Sequence, residues 1–212
     1  STNNNAGRNE LVQFAIQNTS NLSASAIEEI DEFITGFDDK EVFIKFKETF
    51  VKHLLDNVVN PRINNPDERI KSYFDFCFKN RAVIKDESLK NITKRMYQKE
   101  AALPFWKDTI IKSVPQVDNI FVVEVTEDIF RIIESANNLT YQNNCVELLK
   151  ALLKIVPDEN KNQLIAKLIN LLINPNATIR QTGVQYLDDI KNISNINFFK
   201  TTLSNVVRHL CD

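Results

Sequence analysis

Residues 158–193 have the sequence DENKNQLIAKLINLLINPNATIRQTGVQYLDDIKNI, and this stretch decides the fold prediction. Apolar residues recur at helical spacing on both sides of the polar segment around Pro175. The stretch therefore predicts two helices, over residues 158–174 and 178–193. Because only a few residues connect them, the two helices are expected to pack as an antiparallel pair.

The rest of the carboxyl-terminal half continues the same pattern. Residues 140–156 form a predicted helix that ends before Pro157, and residues 197–211 form another. Alternate helices begin roughly 35 to 40 residues apart, near the lower end of the two-helix repeat lengths. Two of these helices are apolar over more than half of their circumference, as expected where layers cover both sides. We predict an all-α, right-handed α-solenoid of about five antiparallel helix pairs.

The turn between the first two helices resembles that of the HEAT-repeat family. In that family an acidic residue of the turn and a Val-Arg pair of the second helix recur. Here Asn176 stands at the position of the acid, and Ile179 and Arg180 stand at the pair. The similarity is good over about residues 159–193, passable over 126–156 and mostly absent earlier. The resemblance implies a stack of HEAT-like repeats that binds other proteins, and Gly183 is expected to let a neighbouring backbone approach closely.

The amino-terminal end differs from this pattern. Residues 1–8 are polar and carry no helical periodicity, so we predict that they are disordered. Residues 9–212 are predicted to form a single HEAT-like domain, and the whole chain is expected to belong to a larger eukaryotic protein.

Local signals set several predicted boundaries. Ser25 and Asp38 are each followed three residues later by glutamate, the spacing of a capping box at a helix start. Pro104 and Pro115 are predicted to end helices, since proline cannot donate the hydrogen bond that a helix interior needs.

Residues 119–125 contain Ile-Phe-Val-Val, which is also compatible with a β-strand. Phe121, Val125, Ile129 and Ile132 share one narrow face only if the backbone is helical. We therefore predict a helix over residues 118–136.

Composition excludes several classes of protein. Only 3 glycines and 6 prolines are present, too few for the many tight turns of sandwiches and barrels. The net charge of −2 provides no overall positive field, so binding to nucleic acid is unlikely on this ground. No long apolar run or secretory leader is evident, so we expect no membrane association.

The three cysteines indicate the compartment. Cys77, Cys145 and Cys211 are far apart in sequence and each lies among apolar residues. They are predicted to be buried thiols of a reducing compartment, which suggests an intracellular protein, cytoplasmic or nuclear.

Catalytic chemistry finds little support in the sequence. His53 and His209 are the only histidines, and no phosphate-binding glycine loop, zinc spacing, nucleophile elbow or paired-carboxylate motif is present. We therefore predict that the chain is not an enzyme and has no catalytic residue, cofactor or metal.

Five residues are candidates for contact with a partner. Lys90 and Lys94 lie on one predicted helix, where they form either a solvated face or a patch for nucleic acid or an acidic tail. Trp106 and Lys107 weakly resemble the tubulin-binding turns of TOG domains, HEAT arrays of microtubule regulators, although the spacing of Trp106 with Ile110 and Val114 fits core packing better. Arg180 can serve a partner or, as in HEAT-like repeats, its own turn.

An acidic run offers one further surface. It could receive a basic partner, but acids also favour helix starts through the helix dipole. Its members are Glu28, Glu29, Asp31, Glu32, Asp38, Asp39 and Glu41. From these features we expect a non-catalytic protein-binding scaffold or adaptor, with a tubulin-binding TOG-type module as the first alternative and a helical nucleic-acid binder as the second.

Overall fold

The computed structural model describes residues 2–59 and 62–211. Every regular element in these two ranges is a helix, and neither range contains a β-strand. The predicted all-α class is confirmed. The chain divides into two compact units, Ser1–Met96 and Tyr97–Asp212.

Among its described residues, the first unit has five α-helices joined by short turns. They are α1 (Thr2–Gln17), α2 (Ala24–Thr35), α3 (Lys40–Val59), α4 (Glu68–Lys79) and α5 (Asp86–Tyr97), the last residue of which belongs to the second unit. The long helix α3 packs against α1, α2 and α4 and buries Phe50, Leu54 and Val58 completely. A 3₁₀ turn, Arg81–Val83, connects α4 to α5 and also contacts α3.

The first helix begins earlier than the sequence predicts. Helix α1 starts at Thr2, so its first turns lie in the segment that was predicted to be disordered. The polar composition of residues 1–8 suggested disorder, but the helix has tertiary contacts. Val12 and Ala15 are buried, and Arg8 donates a hydrogen bond to the carbonyl of Gly36. The single domain over residues 9–212 stays a prediction.

Two predicted caps lie at the wrong residues. Helix α2 is capped by Ser23, whose hydroxyl accepts a hydrogen bond from the Ala26 N–H at 3.1 Å. Helix α3 starts beside Asp39, whose carboxylate accepts from the Glu41 N–H at 2.8 Å. The predictions for Ser25 and Asp38 were wrong because each has a residue of the same type close by, Ser23 and Asp39. Either residue of each pair has a side chain that can cap a helix.

Up to residue 211, where the described part of the chain ends, the second unit contains seven α-helices. They are α6 (Leu103–Val117), α7 (Asn119–Ser135), α8 (Leu139–Leu153), α9 (Asp158–Asn170), α10 (Ala177–Gln185), α11 (Leu187–Ile193) and α12 (Ile196–Cys211). The helix predicted over residues 118–136 is confirmed, with Asp118 as its N-cap. The predicted helix over 178–193 is divided at Tyr186 into α10 and α11.

Both prolines that were predicted to end helices belong to α6. Pro104 lies in its first turn, where the backbone N–H has no helical partner and proline is tolerated. Pro115 lies inside its last turn. The predicted boundaries at these residues were therefore wrong, and α6 is one continuous helix from Leu103 to Val117.

Two of the three cysteines are buried as predicted. Cys77 lies in the core of the first unit and Cys145 in that of the second. Burial raises the pKa of both thiols, and that of Cys145 reaches about 12. The prediction was wrong for Cys211, which is exposed at the end of α12, because the buried face of that helix is formed by Phe199 and Val206.

Gly183 has the packing role that the sequence predicts for it. A Cβ atom at this position of α10 would lie 3.1 Å from Leu171 Cβ and 3.2 Å from the backbone nitrogen of Leu172. The helix therefore approaches the 3₁₀ turn Leu171–Ile173 through the space that the missing side chain leaves.

We expect Gly183→Ala to destabilise the protein and Gly7→Ala to stabilise it. Alanine is the better helix former by roughly 1 kcal/mol, and at Gly7, in α1, no atom lies within 4 Å of the added Cβ. At Gly183 the added methyl group contacts backbone atoms that cannot move independently. The resulting strain should exceed the gain in helix propensity by about 1 kcal/mol. Urea unfolding followed by far-UV circular dichroism measures both changes. Equal stabilisation by the two substitutions would contradict the close approach.

Candidate functional site: an apolar groove in the first unit

Trp106 does not lie on a surface. Its exposed fraction is 0 %, and it lies in α6 in phase with Ile110 and Val114, which are also buried. The indole packs edge-on against the ring of Phe105, with centroids 5.2 Å apart. The structure favours the packing interpretation of Trp106, and it removes the residue on which the comparison with TOG domains depended.

Arg180 is occupied by its own turn. Its Nη1 donates to the carbonyl oxygen of Asn174 at 2.7 Å and to that of Pro175 at 2.8 Å. Asn176 caps α10 by accepting a hydrogen bond from the Thr178 N–H at 2.9 Å. Arg180 and Asn176 therefore hold the turn between α9 and α10 in place, which is the role that the HEAT-like resemblance implies for this arginine.

The three candidate lysines are half-buried. Lys90 and Lys94 lie one turn apart on α5 in the first unit, whereas Lys107 lies on α6 in the second unit. The structure thus brings Lys90 and Lys94 together on one helix. It does not gather Lys107 and Arg180 into a site with each other.

The two histidines of the chain lie on the surface. His53 and His209 are both exposed, one on α3 and one on α12. The described residues hold no group of three or more His, Cys, Asp or Glu side chains placed to bind a metal ion. Within the same part of the chain, no helix is both long and apolar enough to cross a bilayer.

Part of the acidic run lines a groove between α2 and α4. Glu28, Asp31 and Glu32 face a space of about 460 Å³ together with Asp75 and Phe76. At this groove the buried Lys47 donates to the Asp31 carboxylate, with its ammonium 5.5 Å from the centroid of the Phe76 ring. A structural ion pair therefore already uses Asp31, the innermost acid of the run.

A second groove in the first unit has a different, largely apolar floor. It encloses about 580 Å³ between the carboxyl-terminal half of α3, the turn before α5 and α5 itself. Leu55 and Ile92 form the deep part, and the more exposed walls are half-buried apolar side chains. Those wall residues are Val59, Val83 and Ile84. We call this space the α3/α5 groove.

Exposed polar side chains form the rim of the α3/α5 groove, and its α3 side and α5 side differ in charge. Along α3, Glu48, Lys52 and Asp56 follow one another at four-residue spacing, so they share a face one turn apart and alternate in charge. On the α5 side the rim has two cations and two neutral hydrogen-bonding groups, with no acid. These residues are Lys85, Ser88, Asn91 and Arg95.

Sequence reasoning missed this groove. The candidate residues Lys90 and Lys94 do not line the groove, and the cations that do so are Lys52, Lys85 and Arg95. One signal was present in the sequence: Val83 and Ile84 are adjacent apolar residues in the short connection between two helices. Such connections are normally polar, and an apolar pair there indicates a wall or a contact surface.

Comparisons with known proteins add no assignment. No protein-family model matches the chain, no curated protein matches it, and no solved structure matches its fold.

Proposed function

We propose that this chain is a non-catalytic protein-binding module, a scaffold or adaptor built from HEAT-like repeats as a right-handed α-solenoid. It acts by holding a segment of another protein in the α3/α5 groove.

The contacts within the second unit support the HEAT-like part of the proposal. Helices α6 and α7 each pack on the next helix in the chain, α6, α7 and α8 also contact α8, α9 and α10, respectively, and α12 contacts α9. Contacts that stay between near neighbours in sequence are what a repeat stack requires. The close approach at Gly183 and the turn held by Arg180 agree with the resemblance of this region to HEAT repeats.

The observation that carries the binding function is the apolar floor of the α3/α5 groove. Two buried aliphatic side chains form this floor, three half-buried ones form the walls, and exposed polar residues surround them. An apolar depression with a polar rim is typical of sites that receive side chains of a partner.

The two alternatives have less support. The tubulin hypothesis depended on an exposed Trp106, and that side chain is buried. A nucleic-acid backbone placed in the groove would meet the carboxylates of Glu48 and Asp56, which repel phosphate. The net charge of −2 provides no compensating attraction over the whole chain.

Selection of a random peptide library on the intact chain tests the proposal. We expect peptides to be enriched, and we expect Ile84→Glu to weaken their binding at least ten-fold, because a carboxylate would then be buried against each bound apolar side chain. Ile84 is half-buried in the wall, so this change leaves the deep core intact. Fluorescence anisotropy of a labelled selected peptide gives both affinities.

The matched control is Ile44→Glu. Ile44 is an exposed isoleucine of α3, 46 % accessible, and it does not line the groove. Binding should be unchanged in this variant. If no peptide is enriched, or if the enriched peptides bind Ile84→Glu as well as the unmodified chain, the proposed function is wrong.

A further inference from the structure

We infer that the α3/α5 groove receives an amphipathic α-helix of a partner protein, with aliphatic residues on the groove floor and acidic residues along the α5 side. This inference rests on the proposed function and specifies the chemistry of the partner.

The lining of the groove selects a helix among the known forms of peptide recognition. An extended peptide that adds a strand needs an exposed sheet edge, and the described residues contain no strand. A proline-rich segment docks against aromatic side chains, and no aromatic residue lines this groove. Aliphatic floors such as Leu55, Ile84 and Ile92 are typical of grooves that hold the apolar face of a helix.

The size of the groove matches a short helix. Helices rise about 1.5 Å per residue, so Glu48 and Asp56 are separated by about 12 Å along α3. The cations Lys85 and Arg95 are ten residues apart, and most of that separation lies along α5. A partner helix of about three turns therefore spans the rim and presents two or three apolar residues to the floor.

The charges of the rim determine which edge of the partner faces α5. Lys85 and Arg95 are both exposed and both positive, and no acid of the α5 side lines the groove, because Asp86 and Glu87 at the start of α5 lie outside the lining. Acidic residues along the edge of the partner helix that faces α5 are therefore attracted to Lys85 at one end of the groove and to Arg95 at the other. The α3 side alternates in sign at Glu48, Lys52 and Asp56, so it admits a basic residue of the partner beside either carboxylate.

Three synthetic peptides of 18 residues test this inference. Two carry the same leucines at helical i, i+3, i+4 and i+7 spacing, but one has glutamates and the other lysines along one edge of the apolar face; the third is a scrambled acidic sequence. Anisotropy titrations with the intact chain should show the acidic-edged helix binding about ten-fold more tightly than the basic-edged one, as exposed charge pairs of this kind allow. The preference should decrease as salt is added.

Charge reversal identifies the residues responsible. Lys85→Glu/Arg95→Glu should invert the preference of the groove, because both cations of the α5 side then repel the acidic edge. The control is Lys90→Glu/Lys94→Glu, which changes the net charge by the same amount, at two residues of α5 that do not line the groove. The preference should remain in that variant.

Each remaining outcome contradicts the inference. If both helical peptides bind equally and Ile84→Glu abolishes both, the groove is a peptide site but its rim does not select charge. If the scrambled peptide binds as well as the acidic-edged helix, the partner is not helical. If no designed peptide binds and the random library also yields none, the proposed function fails as well. Binding of a 20-nucleotide DNA probe that Lys85→Glu/Arg95→Glu abolishes would assign the groove to nucleic acid.

Discussion

Trp106→Ala is expected to destabilise the second unit by about 3–5 kcal/mol, the usual cost of removing a fully buried tryptophan. The side chain is 0 % exposed and belongs to a row of buried residues on α6 that also contains Ile110 and Val114. Its removal leaves a cavity that the surrounding helices α7 and α8 can fill only in part. Urea unfolding monitored by far-UV circular dichroism measures the loss.

A substitution at the neighbouring, half-buried Lys107 separates the loss of core packing from surface effects. Lys107 is the next residue and is half-buried, so Lys107→Ala should change the free energy of unfolding by no more than about 0.5 kcal/mol. Trp106 is also the only tryptophan of the chain, which makes its fluorescence specific. The emission of the unmodified protein should be blue-shifted and resistant to acrylamide. Emission typical of a water-exposed indole would show that Trp106 is available to a partner after all.

Periodicity accounts for what the sequence could predict. The helix α7 was predicted correctly although its first residues are β-branched, because Phe121, Val125 and Ile129 keep to one face only at helical spacing. All three are fully buried. Neighbouring helices cover this face of α7, so tertiary packing overrides the β-strand propensity of its residues. The spacing of the apolar residues in the sequence reflects that packing.

The spacing of apolar residues does not determine the residue at which a helix begins or ends. Ser23 rather than Ser25 caps α2, although both side chains can accept the same kind of hydrogen bond. Pro104 opens α6 instead of ending α5, because proline fits the first turn of a helix as well as the loop after one. The packing around each helix end decides between such alternatives.

The α3/α5 groove could not be derived from any single segment. Its deep residues, Leu55 and Ile92, belong to two helices with α4 between them, and each has the spacing of an ordinary core residue. Only the packing of α3, the turn and α5 decides that a space remains between them. Lys90 and Lys94 lie outside the groove for a related reason: which face of α5 lines a groove depends on what the neighbouring helices cover.

Buried polar residues are a further feature that sequence patterns do not show. Gln142 lies in the amino-terminal half of α8 and has no exposed surface. Its Nε2 donates to the carbonyl oxygens of Ile133 at 3.2 Å and Ala136 at 2.6 Å, and its Oε1 lies 3.5 Å from the Thr182 hydroxyl. One side chain therefore caps the carboxyl end of α7 and connects α8 with α10.

Gln142→Leu is expected to destabilise the second unit by about 2–4 kcal/mol, although leucine has a similar size and is the better helix former. The substitution removes two hydrogen bonds and leaves the Ile133 and Ala136 carbonyls at the end of α7 without this donor, and an unsatisfied buried carbonyl costs about 1–3 kcal/mol. Hydrogen exchange of α7 and α8, together with urea unfolding, measures both the local and the global loss.

Two further variants decide whether the amide donors are responsible. Gln163→Leu makes the same exchange at an exposed position of α9 and should alter stability by less than about 0.5 kcal/mol. Gln142→Glu keeps the length of the side chain but replaces its amide donors with a buried carboxylate facing two carbonyl oxygens, so at pH 7 it should be at least as destabilising as leucine. If Gln142→Glu is tolerated at pH 7, the hydrogen bonds to α7 do not hold the end of that helix, and the stability of the connection between α7 and α8 must come from its apolar contacts alone.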